Sequence, residues 1–376
     1  HAHSPTSDNH FLSAGATDSE TLRRLQAIRQ APSLSEADAM YLVTKAREIL
    51  TANVHLVITI VTVISVLAEA SSPNRFALAR CEAVPLILAA MAHFPENHSL
   101  QGQSTAALLH LSREAANLNI ISEMGGIPLI IKTMSKFPLN ASLLTVANAA
   151  MWSLATQKEN KVTIAQEGGI DLILQSMRNF PRSVDLLTRA NAAICNLAAN
   201  VDNTVLIAEK GGIDLILLSM QTFPNHSDLL TSANVALSNL AVNLTNNQHI
   251  LHRGGVSLIL SSIRAFPTQP GLLCRALAAL CSMALIDESR FQIAEEGGLE
   301  LIFAAMRRFS HHSVLLTKAN ATLWNLSEEP SMRERIIQGG GFELVRKSME
   351  AFPDDADLIK EGSGALAGRK FVTFCD

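Results

Sequence analysis

Charge and aromatic rings are both scarce in this 376-residue chain: charged residues make up 17% and aromatics 5%, with two tryptophans and one tyrosine. Any core must therefore be mostly aliphatic, and a 48% hydrophobic content is enough to build a large one. The 30 basic and 34 acidic residues give a formal charge of -4. That excludes the general basic field needed to neutralise a run of phosphates, so nucleic acid is not expected as a partner. The longest uncharged apolar stretch, residues 54–67, is broken by His55 and falls short of the ~20 residues needed to span a bilayer. It reads as a buried helix, and no transmembrane segment is expected. The five cysteines, Cys81, Cys195, Cys274, Cys281 and Cys375, form no CxxC pair and no zinc-ligand spacing with histidine. They read as reduced core thiols, and the expected compartment is the cytoplasm, with cytoskeletal or nuclear association left open.

Catalytic signatures are missing as well. No GxxxxGK[ST], GxSxG or HExxH occurs. His249 with His252 and His311 with His312 have no acidic companions at ligand spacing and read as surface histidines. No catalytic residue, metal or cofactor is expected.

What the chain has is a period. Paired glycines stand at Gly125-Gly126, Gly168-Gly169, Gly211-Gly212, Gly254-Gly255, Gly297-Gly298 and Gly340-Gly341, each pair 43 residues after the last. Phe94-Pro95, Phe137-Pro138, Phe180-Pro181, Phe223-Pro224, Phe266-Pro267, Phe309-Ser310 and Phe352-Pro353 keep the same step. Methionine three residues before that phenylalanine, replaced once by Ile263, marks a gap-filling core position. Markers at a fixed period signify a repeat architecture.

One period resolves into three helices. A short one around 203–209 is ended by Gly211-Gly212, since glycine enters the left-handed region without steric cost. A second, about 213–222, carries Ile213, Ile216, Leu217 and Met220 at helical spacing and is stopped by Phe223-Pro224. Ser227 or Asp228 is expected to cap a third, about 229–242, whose Leu230, Ala233, Leu237 and Leu240 form one apolar stripe. One repeat cannot cover that stripe, but stacking the next upon it can.

A short helix, a Gly-Gly turn and two longer antiparallel helices resemble the armadillo repeat. Residues 160–170, Asn-Lys-Val-Thr-Ile-Ala-Gln-Glu-Gly-Gly-Ile, are similar to that family's first-to-second helix junction, and residues 193–198, Ala-Ile-Cys-Asn-Leu-Ala, to the end of its third helix. The resemblance, good over residues 82–358, implies an all-α, right-handed α-solenoid (superhelix) of about seven to eight three-helix repeats. The expected layout is a flexible leader at 1–35, with a possible short helix at 20–30, then a single armadillo-repeat domain at 36–376. Within it lie a degenerate N-terminal unit (36–81), repeats at 82–124, 125–167, 168–210, 211–253, 254–296 and 297–339, and an incomplete unit at 340–376 whose third helix is expected to fail at Gly362, Gly364 and Gly368.

In that family the third helices line a concave face where an asparagine ladder holds an extended partner. The matching column here is His110, Ser153, Asn196, Asn239, Ser282 and Asn325. An amide suits the role because it donates and accepts at once. Trp152 and Trp324 stand one residue before it, and seven before it come Gln103, Val146, Arg189, Ser232, Arg275 and Lys318, three of them basic. The clamping tryptophans of the family's nuclear-import receptors are replaced by Ala106, Ala149, Ala192, Val235, Ala278 and Ala321. An acidic or phosphorylated peptide segment is thus favoured over a basic one. A second column, Asn148, Asn191, Asn234 and Asn320, lies about 140° away around the helix, beside the apolar stripe. It is expected to be structural, its amides bonding backbone groups between repeats. The resemblance implies a non-enzymatic protein-binding scaffold or adaptor. Two alternatives are a structural component of a cytoskeletal or ciliary assembly, docking by its convex face or ends, and a regulatory segment of a longer enzyme.

Overall fold

The structure, a computed structural model, describes residues 16–367. The chain divides into two compact units, residues 1–154 and 155–376. The described part of the first holds α1 (Ala16–Gln30), α2 (Glu36–Ile49), α3 (Val54–Ala70), α4 (Ser72–Arg80), α5 (Ala83–His93), α6 (His98–Leu111), α7 (Ala115–Glu123), α8 (Gly126–Lys136) and α9 (Ala141–Leu154). The second holds α10 (Lys158–Gln166), α11 (Gly169–Asn179), α12 (Val184–Leu197), α13 (Val201–Glu209), α14 (Gly212–Thr222), α15 (Ser227–Leu240), α16 (Leu244–His252), α17 (Gly255–Ala265), α18 (Pro270–Met283), α19 (Asp287–Glu295), α20 (Gly298–Arg308), α21 (Ser313–Leu326), α22 (Pro330–Gln338), α23 (Gly341–Ala351) and α24 (Ala356–Ala367). No strand occurs among the described residues. Each unit is an α-solenoid, with every repeat packing on the next. The third helices stack most extensively, as α3–α6–α9 in the first unit and α12–α15–α18–α21–α24 in the second.

Two different requirements explain the paired glycines. Gly211, the first of its pair, has φ +78°, where a side chain would strain the backbone. Gly212, the second, is helical, but a Cβ there would meet the Ile207 carbonyl oxygen at 2.8 Å and its Cγ2 at 2.5 Å. The first glycine turns the chain, and the second lets the next helix start against the one just ended. In the first full repeat Glu82 takes the left-handed position, at φ 61°, and Ala83 the second, fully buried. The turn survives there without either glycine.

Helix 54–70 confirms the expected buried stretch, since α3 places Val57, Ile60, Val61 and Ile64 out of solvent. Among the described residues no single helix is long and apolar enough to cross a membrane. Three local expectations are corrected. The third helix of the worked repeat runs Ser227–Leu240, and its N-cap is His226, whose Nδ1 accepts from the Leu229 amide at 3.2 Å in place of a hydroxyl or carboxylate. The segment before residue 36 includes a full helix from Ala16, two of whose residues, Leu25 and Ile28, are buried; residues 1–15 lie outside those described. The last third helix does not fail, because α24 runs unbroken through Gly362 and Gly364. These glycines mark close approach: a Cβ on Gly362 would lie 2.7 Å from Met349 Sδ, and one on Gly364 2.3 Å from the Trp324 ring. Gly368 and the residues after it fall outside the described part.

The column Asn148, Asn191, Asn234 and Asn320 is fully buried. Its partners differ in kind from those expected. Asn191 Nδ2 donates to Ser219 Oγ at 3.0 Å, Asn234 to Ser262 at 3.1 Å and Asn320 to Ser348 at 3.0 Å, each 28 residues on, in the second helix of the next repeat. Those hydroxyls in turn donate to the carbonyls of Ile216, Ile259 and Val345 at 2.7 Å. The amide therefore reaches the backbone through a serine. Where the asparagine column holds Leu277, the serine column holds Ala305, and both are buried. A lone buried polar partner costs about 1–3 kcal/mol, whereas replacing both by apolar groups is nearly neutral. We predict that Asn234→Leu or Ser262→Ala alone lowers unfolding free energy by about 1–3 kcal/mol. The double variant, copying the Leu277/Ala305 junction, should recover much of that loss in a urea-denaturation cycle.

Candidate functional site

Third helices carry the candidate residues because their apolar stripe faces the core and leaves the flanking turns for other contacts. In the first unit, His110 on α6 is half-buried. Its Nδ1 is enclosed, its Nε2 lies 3.9 Å from the Glu69 carboxylate, and burial lowers its pKa against the opposing pull of Glu69. Ser153 on α9 pairs its hydroxyl with that of Ser112 at 2.7 Å. Gln103 and Val146 are half-buried, and Trp152 is 40% exposed.

In the second unit the ladder proves to be bonded within the fold. Asn239 Nδ2 donates to the Cys195 carbonyl at 2.9 Å, Asn325 Nδ2 to the Cys281 carbonyl at 3.0 Å, and the Ser282 and Ser238 hydroxyls meet at 3.1 Å. Each bond joins a ladder residue to the third helix of the repeat before. Ser282 is 3% and Asn325 1% exposed, which corrects the expectation that they lie open on a binding face. The stacked third helices come close enough for these short polar groups to reach each other's backbone. The small residues Cys195, Ser238 and Cys281, one position before the ladder, were the available sign of that approach. Asn196 and Asn239 remain half-buried. Trp324 is 4% exposed and packs on the backbone at Gly364, so it presents no ring to a partner, unlike Trp152.

The basic column fares differently. Arg189 on α12 and Arg275 on α18 are exposed and Lys318 on α21 is half-buried, while Ser232 turns its hydroxyl back to the Asp228 carbonyl at 2.7 Å. Arg275 and Lys318 are the sole charged residues of α18 and α21. Burial pushes the Cys195 thiol up to about 11, and Arg275 and Lys161 both act against that rise. Cations from α10 and α18 therefore bear on one stretch of α12. Lys161 sits in the first helix of its repeat, outside the columns compared in the sequence.

The first helices hold a further polar set unseen in the sequence. Asn203 Nδ2 donates to the Leu197 carbonyl at 3.1 Å, Asn247 to Ala241 at 3.1 Å and Arg290 Nε to Ala284 at 2.7 Å, each six residues back. They satisfy carbonyls that the end of a third helix leaves without intrahelical donors. His249 is engaged by Asp214 at 3.2 Å, and Arg253 donates to the same oxygen at 2.7 Å and holds that carboxyl below its ordinary pKa. Among the described residues no three His, Cys, Asp or Glu side chains are grouped to hold a metal.

Residues 132–368 match the family model described as protein zer-1 homolog-like, C-terminal domain. No curated protein matched the chain's sequence. Among solved structures, one from work on a phosphorylation switch controlling the interaction between cadherin and beta-catenin superposes with a TM-score of 0.76 at 18% identity, covering 95% of this chain and 70% of that one. An engineered protein from a structural genomics consortium superposes at 0.72 and 17% identity, covering 96% and 97%. At these identities the likeness concerns the fold.

The two tryptophans should be distinguishable in solution. In Trp152→Phe the remaining Trp324 emission should be blue-shifted and resist iodide quenching, whereas Trp324→Phe should leave a quenchable, red-shifted Trp152. Gly364→Ala should lower stability by about 1–3 kcal/mol through overpacking, read in thermal unfolding.

Proposed function

Because the chain belongs to the zer-1 homolog-like C-terminal-domain family, an armadillo-type family, we propose that it is a non-enzymatic scaffold or adaptor that holds an extended, acidic protein segment against the third helices of its second unit. The observation that carries this reading is the cationic cluster around α12: Arg189 and Arg275 exposed, with Lys161 joining Arg275 in the field at Cys195. Guanidinium groups grip carboxylates in bidentate fashion, and a cation left in water by its own fold needs no internal bond broken to do so. Half-buried Asn196 and Asn239 flank the cluster. They serve as neighbours of the bound backbone, while Ser282, Asn325 and Trp324 serve the fold.

The alternative of a structural component docking by another face has its own support in apolar side chains left exposed on first helices, Val201 (77%) and Val205 (41%) of α13 and Leu244 (57%) of α16. Crosslinks of a captured partner to α13 and α16 would favour it.

Charge reversal tests the leading reading. Arg189→Glu with Arg275→Glu should weaken binding of a labelled Asp/Glu-rich peptide library by at least about tenfold, since a charge-assisted hydrogen bond contributes about 1.5–3 kcal/mol. The melting temperature should stay unchanged. Wild-type affinity should fall with added salt. Equal affinity of the variant and wild type in fluorescence anisotropy would exclude the cluster as the binding site. Alanine at Asn239 or Asn325, by contrast, should cost stability, because each removes a bond between repeats.

A further inference from the structure

Six of the seven phenylalanines that end second helices are followed by proline; the seventh, Phe309, is followed by Ser310. The turn keeps its shape, for Phe309 has φ -113° and ψ 42° where Phe223 has -127° and 60°, and the following helix starts as in the other repeats. Proline is thus dispensable to this turn's geometry. Serine adds a hydroxyl, exposed and outside the helices on either side.

The same turn departs from the period twice more. Arg307 and Arg308 precede Phe309, and no other repeat has two basic residues there; the corresponding pairs are Ala92-His93, Ser135-Lys136, Arg178-Asn179, Gln221-Thr222, Arg264-Ala265 and Glu350-Ala351. In the two repeats that keep the first arginine, it is tied down: Arg178 donates to the Lys210 carbonyl and Arg264 to the Glu296 carbonyl. Arg307 makes no such bond, and both it and Arg308 are exposed. One basic residue suffices to complement a helix C-terminus. Two free guanidinium groups, a bulky spacer and an exposed serine, Arg-Arg-Phe-Ser, instead present a charge pattern that an acidic-pocketed serine kinase reads.

We propose that Ser310 is a phosphorylation site for an arginine-directed serine kinase. The Ser310 oxygen bonds the γ-phosphorus of ATP as the bond from that phosphorus to the bridging oxygen breaks; ADP leaves with the electron pair, and the hydroxyl proton passes to the kinase's catalytic carboxylate. Reading the arginines requires the last turn of α20 to open, and helix ends are where opening is least costly. The product adds about -1.5 to -2 charges beside Arg307, Arg308, His311 and His312, three residues ahead of the α21 N-terminus, where backbone amides and the helix dipole favour an anion.

The test treats the folded chain with ATP, magnesium and the catalytic subunit of cAMP-dependent protein kinase, and maps the product by mass spectrometry. One phosphate is expected, on Ser310. It should vanish in Ser310→Ala and in Ser310→Pro, which restores the repeat's proline, and persist in Ser313→Ala. Arg307→Gln with Arg308→Gln should slow incorporation at least tenfold, with circular dichroism and melting temperature unchanged in every variant. A peptide of residues 304–316 modified while the folded chain is not would overturn the proposal, as would phosphate retained in Ser310→Ala or a rate indifferent to the arginines.

Discussion

The glycine-paired repeats depend on one steric contact, the approach of the second helix to an isoleucine near the end of the helix before it. Gly126, Gly212, Gly255 and Gly298 all start helices where a Cβ would collide with that isoleucine's carbonyl or methyl. With the preceding residue held in the left-handed region, the chain turns within two residues and the second helix starts directly against the first. Helix lengths then recur, at 11, 14 and 9 residues in successive full repeats. Constant lengths keep the third helices in register, so that stripe covers stripe.

Register is then secured by polar groups. The asparagine–serine relay ties a third helix to the next second helix, the ladder ties neighbouring third helices, and the first-helix amides close the third-helix ends. Each bond is modest, but an amide buried without its partner would be costly, so the pairs discriminate against stacking out of step. Their replacement at Leu277 and Ala305 by an apolar pair follows from the same logic, since both members change together.

That use of amides reshapes the surface. Ladder positions that resemblance assigns to partner binding are largely consumed by contacts between repeats, while arginines that no internal carbonyl claims stay in water. Candidate chemistry on this solenoid therefore lies where a side chain breaks the repeat's habit: Arg189 and Arg275 among small polar neighbours, and Arg307 to Ser310 where a proline is missing.

The period, the helix order and the burial of Asn191 and its equivalents were legible in the sequence, because glycine, proline and apolar spacing act on the chain locally. Even the serine partners were there to be read, as a column that turns to alanine where asparagine turns to leucine. Tertiary structure alone decided which polar groups remain available. Asn325 and Asn239 carry the same side chain at the same register, yet one is buried and the other half-exposed. Glycines that read as helix breakers in α24 instead receive a methionine side chain, at Gly362, and a tryptophan ring, at Gly364. Such outcomes depend on the distance between helices far apart in the chain, and no local preference encodes that distance.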